Sequence, residues 1–257
     1  MLFRSMTVGE GFDFSAGDLD GIWNEGTAQM AICYSVISCA TTLPEKGRKK
    51  GSFAVQPFSY GIYNIFKSRR SIYLNSFEPK KSFFKIGEDI EKYACGAYAL
   101  EFTDKLTPEE EPVPEIFNLL IDYMSILDVR SSNFKSLLLA YLIKLIQKDG
   151  IAPELKYCVS CEKNTEKMYF SVEEGGLLCE ACKKTIIEPD TLIYVANFGI
   201  IDVVKYILNN PLHMMAKVAV DTEIEENIFK VLKHYCSYHL GIDKIKSEEI
   251  MSNNSPF

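Results

Sequence analysis

The feature that most constrains this chain is a spacing: Cys158-Val159-Ser160-Cys161, seventeen intervening residues, then Cys179-Glu180-Ala181-Cys182. C-x2-C-x17-C-x2-C lies within the range of a four-thiolate zinc site, because each C-x2-C pair turns through a tight knuckle and presents two sulfurs to one metal. The segment between the pairs supplies a hairpin. Met168–Val172 reads as a strand, Glu173-Glu174-Gly175-Gly176 as the turn, and Leu177-Leu178 as the return into Cys179, with both glycines expected to supply positive φ. Four thiolates leave no open position for water or substrate, so the expected Zn2+, one per chain, is structural. Its ligands are Cys158, Cys161, Cys179 and Cys182, and Lys163, Lys167, Lys183 and Lys184 lie near enough in sequence to offset part of their charge. Apparent binding energies of ~10–16 kcal/mol in small zinc modules are enough to fold a segment that has little core. The other cysteines, Cys33, Cys39, Cys95 and Cys236, are scattered and read as small buried apolar residues.

The charge is unevenly distributed. The 257 residues carry a net −7, yet residues 45–92 sum to +6, between −4 in residues 1–44 and −9 in the remainder. The basic island sits beside aromatic strands. Gln56–Phe66 and Ser71–Phe77 read as strands, Lys67-Ser68-Arg69-Arg70 as the turn between them, and Lys46–Gly51 as a second basic loop. Basic loops beside aromatic strands suit a small barrel that tracks a phosphate backbone and stacks bases. The plainer alternative is an aromatic barrel core with solubilising loops.

From Phe84 the apolar period becomes helical, through Ile86, Ile90, Tyr93, Ala94, Ala97 and Leu100. Thr107-Pro108 reads as the start of another helix, with Pro112 and Pro114 interrupting it and Glu109–Glu111 as a solvated start or linker. Further helices are expected from near Glu115, from Asn133 to a stop at Gly150, over Phe198–Leu208 and over Glu223–His239. No apolar run reaches the roughly 18 residues that span a bilayer, and the N-terminus lacks a basic segment followed by an apolar core, so a cytoplasmic chain without membrane contact is expected. There is no phosphate-binding loop, dinucleotide-binding glycine triplet, nucleophile elbow or H-E-x-x-H. The three histidines all follow the cysteine tetrad, and His234 reads as a surface histidine. No catalytic residues are expected, and the chain reads as a non-enzyme.

Several segments, in order, resemble the RecO family of bacterial DNA repair and recombination mediators. They are Gln56-Pro57-Phe58-Ser59 with the Lys67–Leu74 hairpin, Phe83–Lys92, Gly150–Leu155 leading into Cys158, Gly175–Cys179, and Tyr238-His239-Leu240-Gly241 with Lys246-Ser247. Residues 1–44 depart from the family's opening strand, acidic turn and strand. The resemblance implies an α+β protein with an N-terminal OB-type β-barrel and a C-terminal all-helical domain carrying an inserted four-cysteine zinc ribbon. The barrel is expected over residues 1–80 (1–44 atypical), the helical domain over 81–157 and 183–250, and the ribbon over 158–182. It also implies binding of single- and double-stranded DNA, strand annealing, association with RecR and single-stranded-DNA-binding protein, indirect action on the RecA filament, and a nucleoid-associated location. Arg48, Lys49, Lys50, Arg69, Arg70, Lys80 and Lys81 are the expected DNA-binding cluster. The competing reading is a zinc-stabilised protein-interaction scaffold with weak or no DNA binding. A zinc hydrolase is disfavoured by the closed ligand set.

Overall fold

The computed structural model describes residues 22–24, 58–67, 72–108, 112–186, 192–196 and 198–253. The chain divides into two compact units, Met1–Val129 with Ser247–Phe257, and Arg130–Lys246. The protein is a mixed α+β chain whose C-terminal part is largely helical.

In the first unit, β1 (Ile22–Asn24), β2 (Ser59–Lys67) and β3 (Ile72–Ser82) form an antiparallel sheet in the order β1-β2-β3. These strands form an open sheet, so no closed barrel is present among the described residues. β3 continues past the expected end at Phe77. Pro79 fits within it because its partner is Gly61, beside a register shift between Tyr60 and Gly61, and β3 borders only β2 among the described strands. The hairpin is anchored at its base by Phe58, which is 3% exposed and has φ +58°. Its carbonyl accepts the Phe83 N–H at 2.9 Å, and its ring meets Tyr93 edge-on at 5.5 Å between centroids.

Tyr93 lies on α1 (Ile90–Leu106), which begins later than the periodicity from Phe84 predicts. Residues Phe84–Glu88 instead form a 3-10 turn, and the Asp89 side chain caps α1 by accepting the N–H groups of Glu91 and Lys92. Ala94 to Leu100 are all buried, so α1 is enclosed on every side at its middle. Its small residues make room for neighbours. A Cβ at Gly96 would lie 2.7 Å from Phe58 Cε1 and 3.1 Å from Ile86 Cγ2.

Thr107 ends α1 and does not start a new helix. Its N–H and hydroxyl both donate to the Thr103 carbonyl, and Pro108 follows the helix end, where proline is common. α2 (Pro114–Val129) opens on the proline suited to a first helical position. It packs on α1 through buried Leu120, Met124 and Tyr123, whose hydroxyl donates to the Cys95 carbonyl at 3.1 Å. A last helix of this unit, Glu248–Asn253, is tied to α1 by Glu101, whose carboxylate accepts both the N–H and the hydroxyl of Ser247.

The second unit is built on α3 (Phe134–Lys148), which is buried along nearly its whole length from Ser136 to Ile146. Gly150, with φ +87°, lies just beyond its end as expected. Two later helices, Phe198–Asn209 and Thr222–Leu240, pack on α3. Buried Ser136 donates to Glu225 Oε2 at 2.6 Å and accepts the Val220 N–H, fixing the start of the latter helix; burial raises the Glu225 pKa. Arg130 is 8% exposed and spends its guanidinium on the carbonyls of Ser132, Met215, Ala216 and Val218. It thereby holds the 3-10 turn Leu212–Lys217. Among the described residues, no helix is long and apolar enough to cross a membrane.

The Gly96–Phe58 contact is testable. Gly96→Val is expected to lower stability by ~1–3 kcal/mol, since the ring it would strike is buried and packed against Tyr93. A urea midpoint equal to that of the unaltered chain would show that this contact does not seat the hairpin.

Candidate metal centre

The site rests on a four-stranded sheet of order β4-β6-β5-β7 in the second unit. The strands are β4 (Glu154–Cys158), β5 (Met168–Ser171), β6 (Gly176–Cys179) and β7 (Ile193–Val195). β5 and β6 form the hairpin expected from the sequence, with Met168 opposite Cys179 and Ser171 opposite Gly176. β4 runs parallel to β6, and β7 pairs with the far side of β5. Both flanking strands lie at or outside the ends of the cysteine-bounded segment.

The first pair straddles a turn after β4. Cys158 ends the strand, its carbonyl accepts the Glu162 N–H, and Glu162 takes φ +59°. The second pair straddles the start of α4 (Glu180–Lys183), where Cys179 Sγ caps the helix by accepting the Cys182 N–H. The four sulfurs all lie within 4.8 Å of one another, and Cys161 Sγ is 3.7 Å from Cys179 Sγ. Zn–S bonds of about 2.3 Å in a tetrahedron place sulfurs about 3.8 Å apart, so the donor set and its spacing fit zinc.

The sulfurs are also prepared electrostatically. Burial pushes the Cys158 thiol up, but N–H groups of Cys179, Cys161 and Ser160 outweigh it and bring the pKa down to about 6. The Cys182 N–H likewise lowers Cys179. Cys182 is pushed up to about 12, chiefly by sharing a proton with Cys179 and Cys161. Cys158 and Cys179 are buried, whereas Cys161 and Cys182 are half-buried.

Apolar packing holds the sheet to the helices. Leu155, Met168, Leu177 and Leu178 form one buried cluster with Ile201, and Val204 and Leu208 pack against it. Gly175 has φ +69° as expected, but Gly176 is required for a different reason. A Cβ there would lie 2.6 Å from the Glu154 carbonyl oxygen and 2.7 Å from Val159 Cγ1, so its missing side chain lets β4 approach.

The helix Thr222–Leu240 adds polar clasps that the cysteine pattern gives no hint of. Tyr235 donates to the Ile151 carbonyl at 2.8 Å, and His239 Nε2 donates to the Val172 carbonyl at 2.7 Å. His234 is half-buried, and its Nδ1 is hydrogen-bonded to the Tyr194 hydroxyl of β7. Two of the lysines expected to offset the sulfurs are occupied elsewhere. Lys183 lies over the Tyr169 ring at 3.8 Å, and Lys184 pairs with Glu180 at 3.3 Å.

Of the basic cluster, Arg48, Lys49, Lys50, Arg69 and Arg70 lie outside the described residues. Lys80 and Lys81 are exposed near the end of β3. Lys81 Nζ donates to Ser125 Oγ at 3.0 Å and lies 4.7 Å from the Phe83 ring centroid.

A largely helical chain with an inserted four-cysteine sheet and a β-hairpin ahead of its helices defines the class: a helical protein braced by a metal-type sulfur cluster. Comparison with known proteins narrows it. The family model described as "Recombination protein O C terminal" matches residues 87–249. The DNA repair protein RecO of Alkaliphilus metalliredigens is 32% identical over 197 residues, covering 76% of this chain and 78% of the relative. Those of Desulforamulus reducens and Bacillus pumilus are each 28% identical, over 79% and 81% of this chain and 77% and 79% of the relatives. The chain belongs to the RecO family of DNA repair proteins, whose name denotes repair and no catalysed reaction.

The close approach at Gly176 can be tested directly. Gly176→Ala is expected to cost ~1–3 kcal/mol, because the contact is with backbone. It should also speed labelling of the metal-free cysteines by a thiol reagent. Unchanged labelling and an unchanged urea midpoint would mean that β4 and β6 tolerate a side chain there.

Proposed function

We propose that this chain is a recombination mediator. It binds single- and double-stranded DNA through a basic N-terminal OB-type barrel, anneals complementary strands, and acts with RecR and single-stranded-DNA-binding protein to help load RecA. The domain boundaries of this reading are 1–80 for the barrel, 81–157 and 183–250 for the helical domain, and 158–182 for the ribbon. The location is cytoplasmic, at the nucleoid. The observation that carries it is the +6 island of residues 45–92 in an otherwise acidic member of a DNA repair family. Arg48, Lys49, Lys50, Arg69, Arg70, Lys80 and Lys81 supply the phosphate contacts, and affinity is non-specific because backbone charge and base faces are common to every sequence.

If this is right, binding to a single strand weakens with salt, log K falling by ~0.7 against log salt for each phosphate neutralised. Replacing Arg48, Lys49, Lys50, Arg69 and Arg70 with alanine is expected to flatten that slope in a fluorescence-anisotropy titration. The same slope in the variant would remove the cluster from the interface.

The metal of this reading is one structural Zn2+ held by Cys158, Cys161, Cys179 and Cys182. Bound there, zinc joins the turn after β4 to the turn after β6 and neutralises part of the thiolate charge. A variant carrying Cys158→Ser and Cys161→Ser is expected to lose zinc in elemental analysis and to unfold at lower urea. Retention of one zinc per chain would exclude the tetrad as its site.

A second reading, a protein-interaction scaffold, draws on an apolar groove of about 160 Å³ in the second unit, walled by residues such as Ile143, Leu155, Phe170, Val204 and Leu232. The two readings separate in the titration above, since a scaffold binds the oligonucleotide weakly or not at all.

A further inference from the structure

The turn that joins the β-hairpin to α1 displays an aromatic ring that the fold does not use. In a 3-10 helix, residues three apart share a face. Phe83 and Ile86 take the inward face of the turn, at 1% and 0% exposure, which turns Phe84 and Lys85 outward. Phe84 is 59% exposed, and Ile90, at the start of α1, is 54% exposed.

A lone exposed apolar residue needs no special account. The setting of Phe84 distinguishes it in two respects. Its backbone is held from both sides: the Phe83 N–H donates to the Phe58 carbonyl at 2.9 Å, and the Lys85 N–H donates to Asp128 Oδ1 at 3.1 Å. The ring is therefore presented from a held backbone. The setting also offers ammonium groups. Lys80, Lys81 and Lys85 are exposed within five residues of the ring in sequence, and the Lys85 ammonium has no partner among the described residues. Carboxylates lie along the same stretch: Glu88 and Glu91 are exposed, Asp128 accepts the Lys85 N–H, and Asp89 accepts the N–H groups of Glu91 and Lys92.

An exposed aromatic ring on a held backbone, followed in sequence by the exposed Lys85, matches a nucleobase and its adjoining phosphate. We propose that Phe84 is a stacking platform for a base of single-stranded DNA, with Lys85 on the neighbouring phosphate; this rests on the DNA-binding reading and extends its surface beyond the basic loops. Double-stranded DNA keeps its bases stacked on one another, so the platform favours the single strand.

The test compares an oligo-dT strand with an abasic strand of the same length and charge. Stacking on one aromatic side chain contributes about 5- to 150-fold in affinity. Phe84→Ala is expected to weaken oligo-dT binding by roughly tenfold, within that range, while leaving the abasic strand and the salt slope unchanged; Phe84→Trp should restore oligo-dT binding. Equal oligo-dT affinity in Phe84→Ala and the unaltered chain would overturn the platform alone. An equal loss on both strands would also overturn it, since the ring would then act through the fold or the phosphates. If the unaltered chain bound neither strand, the DNA-binding reading would fail, and the platform with it.

Discussion

Four sulfurs from two separate turns share a volume the size of one coordination sphere, and the second unit is arranged around that convergence. None of its four described strands exceeds five residues. Strands this short have too few ladder bonds and too little apolar face to stand alone. Three things compensate. Gly176 lets β4 close on β6, so that the turn after one faces the turn after the other. Leu155, Leu177 and Leu178 press the sheet onto Ile201. Tyr235, His239 and His234 then fasten the approach to β4, the hairpin turn and the outer strand through hydrogen bonds from a single helix. The metal site is thus the meeting point of two backbone turns that the helices also hold, and an ion placed there gains from geometry the fold has already established.

How much of this was legible in the sequence depends on what kind of signal each element leaves. The tetrad and its hairpin were readable because cysteine spacing and a glycine-bearing turn between two apolar segments are local patterns. The helices Pro114–Val129, Phe134–Lys148, Phe198–Asn209 and Thr222–Leu240 were readable because bulky apolar residues recur along them at helical spacing. The start of α1 was not. Ile86 and Ile90 fit the helical period, yet Ile86 lies in a 3-10 turn and Ile90 faces outward, because the Asp89 cap sets the boundary and leaves no trace in apolar periodicity. Its buried middle is made largely of Ala, Cys and Gly, whose small side chains mark close packing that a hydropathy pattern does not weigh. Thr107-Pro108 reads as a helix start and proves to be a helix end: a threonine before a proline can open a helix or close one, and the Thr103 carbonyl decides it.

β4, β7 and the histidine clasps were illegible on different grounds. β4 and β7 are five and three residues long and derive their identity from partners distant in sequence. The pairing of His239 with Val172 spans 67 residues, and nothing local to either predicts it. Gly176 shows the same limit in miniature. It was expected to serve a turn through its φ, and it serves a neighbouring strand through its missing side chain. Local rules identified the residue, and only tertiary contact supplied its reason.

The division of charge along the chain bears on how an acidic protein could hold a polyanion at all. A net charge of −7 opposes binding only if its charges are felt at the contact. At physiological ionic strength, screening limits that reach to about 8 Å, so acidic residues farther away would weaken a phosphate contact little. Screening works equally against the island itself. As salt rises, the phosphate contacts fade through loss of the counterion-release gain, whereas stacking on an aromatic face is driven by surface burial and dispersion and keeps its strength. A surface that combined both would hold single strands at salt concentrations where duplex, offering only phosphates, is released. In that combination the charge governs where a strand lands, and the aromatic ring governs which form of DNA stays.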